Sequence, residues 1–348
     1  METVDSNPIS LPPSSPLPPI CSSSSFSGPT DLNGQSLVPG LSPLPTSVTR
    51  LWRPAAQRNL KNQWSRLASY KQQWVSASSG GKSHATSLVN SHLSQRYMDA
   101  MDLGVLSVMP NIRKKAISKL FRQQEVNRSN LLSSYKDLIV IATHMVKISG
   151  SMRCFLKGAP NSSIVQFCNY SEDKNNLGDC GGIPVFTFWP VSYFERLAQE
   201  LVEMFVSEVN LKRLIVVELL AASCDEKVSQ ANRLCWFDEL YPGEFHDLCA
   251  CNLYSTETCK PVSPTVNGSK FSMPPPPSNQ KLRHEVLQVY LTTWLAEVNI
   301  DNYRADDIFS EVGEEMHSRI GDDVITPFED PRVLTQRMRI ILADVLPM

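Results

Sequence analysis

The sequence predicts a mainly α-helical protein: an irregular multi-helix body with one small β-hairpin and a disordered N-terminal tail. Three observations carry this expectation. Apolar residues recur in steps of three and four over long stretches, and β-branched and aromatic runs flank a glycine-rich turn only once. The first 49 residues hold 10 prolines and 12 serines. With 348 residues and 42% hydrophobic content, the chain has enough apolar material for a core.

Residues 1–49 are the expected Ser/Pro-rich tail, because that composition buries too little apolar surface to offset chain entropy. Residues 50–157 form a basic helical region. Order is expected to begin near Pro54, since proline suits the first helical position. Leu60, Trp64, Leu67, Lys71 and Trp74 follow in steps of 4, 3, 4 and 3, which places two tryptophans and two leucines on one helix face. This helix is expected to end in the run Ser76-Ala77-Ser78-Ser79-Gly80-Gly81. A second should run from about His84 to Met101, with Leu88, His92 and Leu93 inward. Pro110 then precedes a long helix, about Ile112 to Ser149, carrying Leu131, Tyr135, Leu138, Ala142 and Met145 at helical spacing.

Residues 158–247 read as the hairpin plus a long amphipathic helix. Ile164 to Phe167 and Pro184 to Trp189 are the expected strands, with a turn at Gly178 to Gly182. Ser192 and Glu195 have the spacing of a capping box. Phe194, Leu197, Leu201, Phe205, Leu211, Leu214 and Leu220 then mark one helix to about Ala222, and Val228 to Leu240 is expected to be helical as well. Residues 248–280 read as a Cys/Pro-rich linker, and residues 281–348 as a C-terminal helical region. Its helices are expected at about Gln280 to Glu297, Ile308 to Ile320 and Pro331 to Leu346.

Charge is strongly polarised. Residues 1–49 carry three acids and no base, residues 50–157 carry 18 bases against 4 acids, and residues 158–348 carry 15 bases against 28 acids. A block this basic suits phosphate backbones or acidic protein surfaces, or else the acidic half of the same chain. Surface ion pairs are weak and screened by salt, so apolar packing must hold the halves together. The basic helices are therefore expected to pack through their apolar stripes, onto one another or onto the Phe194 to Leu220 helix, leaving Arg113 to Arg122 at the surface.

Reactive chemistry is sparse. Gly80-Gly81-Lys82-Ser83 ends like a phosphate-binding loop, but Ser76 stands where its first glycine is needed and a helix precedes it. His246, Cys249, Cys251 and Cys259 supply four candidate zinc ligands, yet Cys-x-Cys is tighter than the usual ligand gap and no second cysteine pair follows. No nucleophile elbow or metalloprotease histidine pair occurs. No catalytic, cofactor-binding or metal-ligating residue is assigned, no small-molecule substrate is expected, and no apolar run reaches the length of a membrane span. The proline-broken Ile9 to Ile20 stretch lacks the form of a secretory signal, so the cysteines are expected to be reduced.

The run Leu51-Trp52-Arg53-Pro54-Ala55-Ala56-Gln57-Arg58-Asn59-Leu60-Lys61-Asn62-Gln63-Trp64, continued by Ser83-His84-Ala85-Thr86-Ser87-Leu88-Val89-Asn90, resembles the plant-specific family required for meiotic DNA double-strand break formation. Gly178-Asp179-Cys180-Gly181-Gly182-Ile183-Pro184-Val185-Phe186 is similar to the same family. The likeness covers about residues 50–225. It implies a nuclear accessory factor whose partners are other proteins of the meiotic break-forming complex, and it carries no residue roles.

Three functional expectations follow. The first is a non-enzymatic interaction protein, with Leu60, Trp64, Leu67 and Trp74 as the candidate partner face if exposed and as core if buried. The second is sequence-independent nucleic-acid binding, with Arg113, Lys114, Lys115, Lys119 and Arg122 as phosphate contacts on DNA. The third is a zinc-dependent enzyme built around His246 and the cysteines.

Overall fold

Helix α1 is far longer than its sequence suggests. In the computed structural model, which describes residues 46–157, 166–170, 177–222, 234–266, 269–270 and 284–317, α1 runs unbroken from Thr46 to Met98. Two expectations are corrected here. Pro54 lies inside the helix, not at its start. Trp52 Nε1 donates to the Cys154 carbonyl at 3.0 Å and Arg53 to the Pro184 carbonyl at 2.7 Å, so tertiary bonds hold the turn that proline weakens.

Nor does the helix end at Ser76 to Gly81. A Cβ at Gly81 would lie 2.5 Å from the Trp294 ring. Trp294 Nε1 donates to the Ser78 carbonyl at 3.0 Å, while Ser78 Oγ and Trp74 Nε1 donate to Glu297 Oε1 at 2.5 and 3.1 Å. Each glycine costs a helix roughly 1 kcal/mol. The docked indole and its hydrogen bonds outweigh that cost, and Gly81 provides close approach, not a flexible connection.

A 3-10 turn at Gly104–Val108 leads to α2, Ile112–Ser149. The two helices are antiparallel: Asn59 Nδ2 donates to the Ser151 and Met152 carbonyls at 3.1 and 2.9 Å, and Gln124 Nε2 to Gln95 Oε1 at 2.6 Å. All five residues expected inward on α2 are buried.

Helix α3, Val191–Ala221, lies against this pair. Its start is tied to the end of α2 by the Arg153–Glu195 ion pair at 2.7 Å, and its end by a hydrogen bond from Arg128 to the Ala222 carbonyl. Its extent matches the sequence expectation; its cap does not. Pro190 is the N-cap, without a side-chain bond, and Glu195 is engaged by Arg153. Helix α4 spans Glu244–Ala250, α5 His284–Ala296 and α6 Asn302–His317. Phe309 of α6 meets Trp64 edge-on, and Phe205 of α3 meets Trp74.

The main hairpin is paired differently from the expectation. Strand β1, Phe155–Lys157, runs antiparallel to β2, Gln166–Cys168. Pro184 to Trp189 forms no strand because Glu315 Oε1 accepts the N–H groups of Thr187, Phe188 and Trp189 at 2.9, 2.6 and 3.0 Å. That carboxylate takes the donors a ladder would need. Two-residue pairings also join β3, Tyr254–Ser255, to β4, Lys260–Pro261, and β5, Thr265–Val266, to β6, Ser269–Lys270.

The expected linker is therefore structured where it is described: Leu248, Cys251 and Leu253 are buried. Residues 234–240 are turns, not helix. Residues 1–45 of the expected tail, the 228–233 part of the expected helix, residues 271–280 of the linker and the Pro331 to Leu346 helix lie outside the described residues.

Candidate interaction surface

The stripe expected to be a partner face is core. Leu60, Trp64, Leu67 and Trp74 are at most 4% exposed; α1 packs chiefly on α2, with Phe309 of α6 against Trp64 and Phe205 of α3 against Trp74. The spacing defines the buried face of the helix. Its partners are internal.

Charges missed by the sequence reading lie nearby. Lys212 and Arg213, in the apolar middle of α3, have fully buried side chains. Lys212 Nζ donates to the Trp294 carbonyl at 2.9 Å and lies 3.3 Å from Glu208 and 3.4 Å from Glu297. Burial raises the Glu208 pKa, and neighbouring Lys212 offsets only part of that effect. Arg213 Nε donates to Glu244 at 2.8 Å and Nη1 to the Trp236 carbonyl at 2.7 Å, while Tyr135 Oη donates to the same carboxylate at 2.7 Å. These groups lock α3 to α2, α4 and α5. The signal was present in the sequence as two bases inside an apolar helix.

The proposed zinc ligands are not gathered. Cys251 packs under α2 with its sulfur 2.9 Å from Thr143 Oγ1, and burial pushes its thiol up to about 11. Cys259 is exposed, its thiol donating to the Thr256 carbonyl. Among the described residues no three His, Cys, Asp or Glu side chains are grouped to hold a metal ion. Lys82 and Ser83 lie within α1, so the loop needed to cradle a phosphate is not formed there.

The far end of the α1–α2 hairpin differs from all of this. From Leu93 to Gln123 no residue is buried. Tyr97, Met101, Val105, Leu106, Val108, Met109 and Phe121 are all exposed, Val105 by 85% and Val108 by 81%. The connection is nevertheless ordered: Met101 N–H donates to the Tyr97 carbonyl at 3.2 Å, Gly104 N–H to Asp102 at 3.1 Å, and Arg113 to the Met101 carbonyl at 2.6 Å.

The expected phosphate contacts lie along the first three turns of α2, which follows this apolar turn. Lys114, Lys115, Lys119 and Arg122 are exposed and Arg113 is half-buried. Lys115, Lys119 and Arg122 are spaced i, i+4 and i+7, so they share one face of α2, with Lys114 and Phe121 on the adjoining stripe. Among the described residues none of the four exposed cations is ion-paired to a carboxylate, whereas Lys71 and Arg153 at the other end pair with Asp306 and Glu195. The first turn of α2 contains no acid and holds Arg113, Lys114 and Lys115, which adds side-chain charge to the positive end of the helix dipole. His92, where the packed part of the hairpin ends, has a lowered pKa from burial first and then from Arg96 and Arg128. Among the described residues no helix is long and apolar enough to cross a membrane.

No protein-family model matches the chain. It is similar to the cyclin-dependent kinase 2-interacting protein of Bos taurus, with 23% identity over 169 residues that span 48% of this chain and 73% of the bovine one.

Proposed function

We propose that this chain is a non-enzymatic interaction protein that docks on other proteins through the tip of its α1–α2 hairpin, and that it serves meiotic double-strand break formation in the nucleus. The observation that carries the docking reading is the unburied segment from Leu93 to Gln123, ordered yet rich in exposed Val, Leu, Met and Phe. Large apolar side chains left exposed together in one ordered segment of a folded protein mark a candidate interaction site. The similar bovine protein is named as an interactor of a kinase, which supports the class of function. The meiotic process rests on the resemblance of the Leu51 to Trp64 and Gly178 to Phe186 runs.

A photo-crosslinking residue at Val105 in meiotic cells tests both parts. The expected result is covalent adducts with proteins of the break-forming complex. Adducts only with nucleic acid, or none, sink the docking reading; adducts with proteins of another process sink the meiotic one. Sequence-independent nucleic-acid binding is the second reading, favoured by the exposed cations of α2. A phosphate backbone gives no use to Val105 and Val108.

A further inference from the structure

The tip joins two kinds of surface that few ligands satisfy together. Its apolar part is Tyr97, Met101, Val105, Leu106, Val108 and Met109, and its charged part is the exposed basic face of α2. Residues 94–123 contain six bases and two acids. Resting on the docking reading above, we propose that the occupant is an acidic amphipathic helix of a partner protein, its apolar face on the Val105–Met109 turn and its carboxylates along Lys115, Lys119 and Arg122.

Charge complementarity selects this occupant. A second copy of the tip would bring like charges together, because a symmetric interface repeats the same patch on both sides. Duplex DNA would neutralise the lysines but leave Val105 and Val108 in water. An anionic membrane would also take both surfaces, so vesicle uptake is one of the outcomes that the test below reads. A helix with leucine on one face and glutamate on the other matches both surfaces and places its carboxylates at the spacing of the α2 cations. The positive end of the α2 dipole adds to the attraction.

The test uses the full chain and a labelled peptide with leucine on one helical face and glutamate on the other, read by fluorescence anisotropy. Expected is saturable binding that weakens about tenfold or more in Val105→Asp/Val108→Asp and in Lys115→Glu/Lys119→Glu. A peptide with lysine in place of glutamate is expected not to bind native chain and to bind the charge-reversed variant better. Circular dichroism and melting temperature should be unchanged in both variants, since every substituted side chain is exposed.

Each of five results would overturn the proposal. They are no binding of the glutamate peptide, duplex DNA binding that survives Val105→Asp/Val108→Asp, uptake by phosphatidylserine vesicles in place of the peptide, dimerisation lost in the aspartate variant, and a large drop in melting temperature of that variant. The last would mean that the chain's own residues cover the tip. Protein adducts at Val105 together with failed peptide binding would refute the partner chemistry and leave the docking reading standing.

Discussion

The α1–α2 hairpin carries apolar side chains along its whole length, but its two ends use them in opposite ways. At the base, Leu60, Trp64, Leu67 and Trp74 of α1 and Leu131, Tyr135, Leu138, Ala142 and Met145 of α2 are buried where the two helices pack on each other, α1 also meeting α3, α5 and α6 and α2 meeting α3 and α4. At the tip, residues of the same kinds face outward. The lengths of the elements account for the difference. α1 has 53 residues and α3 has 31, so at ~1.5 Å per residue α1 exceeds its neighbour by about 30 Å. α3 ends at Ala221, Arg128 binds the carbonyl of its C-cap Ala222, and both hairpin helices continue past that point. Helical periodicity predicts a face that will be covered; it does not say whether this chain or another covers it.

Breaking the base should have the largest effect. Arg213→Ala leaves Glu244 buried without its cation and is expected to cost about 3–5 kcal/mol in urea unfolding. Arg213→Met combined with Glu244→Gln removes both charges and should cost less than Arg213→Ala alone. Equal losses would mean that burial of the guanidinium stem, not its pairing, matters at this position.

Gly81 gives a smaller effect at the same end. Glycine to alanine within a helix ordinarily stabilises by roughly 1 kcal/mol. Here the new methyl would meet Trp294, so Gly81→Ala is expected to destabilise by about 1–3 kcal/mol. In a Trp294→Ala background the same change should be neutral or stabilising. Additivity in that double-mutant cycle would refute the close-approach role.

What was legible in the sequence follows the same division. The inward faces of α1 and α2, the first half of α3 and the extent of α3 could be read, because periodicity reports which side chains will be shielded, whereas Leu214 and Leu220 are half-buried and Ile215, Val216 and Leu219 are the buried ones. The continuity of α1 through Ser76 to Gly81 could not. It depends on Trp294, more than 200 positions away, and low local propensity yields to tertiary contact. The strand expected at Pro184 to Trp189 failed for a related reason: Glu315, distant in sequence, takes its donors. The exposed lysines of α2 were read correctly as surface. The apolar turn beside them leaves no such signal, since Gly104 to Met109 is too short to show a period.

His92 marks the boundary between the two ends and supplies a graded test. Its folded pKa is lowered, so it resists protonation in the native state while the unfolded chain takes up protons near the ordinary value of 6.5. The stabilisation is therefore complete above about pH 6.5 and is lost progressively as pH falls from there toward the lowered folded value. His92→Gln should flatten that part of the stability profile. An unchanged slope would place the titration elsewhere.

The smallest stability effect is expected at the tip, and its smallness is the informative result. Val105→Asp/Val108→Asp places two carboxylates where the native side chains are 85% and 81% exposed, so no cavity, clash or buried charge is created. Substitutions of that kind fall within about 0.5 kcal/mol of wild type. The new carboxylates also lie near Lys114 and Lys115 in sequence, and any attraction to them would favour the folded hairpin slightly. Thermal unfolding should therefore be almost superimposable on wild type, while Leu138→Ala at the base costs about 2–5 kcal/mol. A tip variant that lost as much stability as the base variant would show that Val105 and Val108 belong to the core after all, and the contrast between the two ends of the hairpin would disappear.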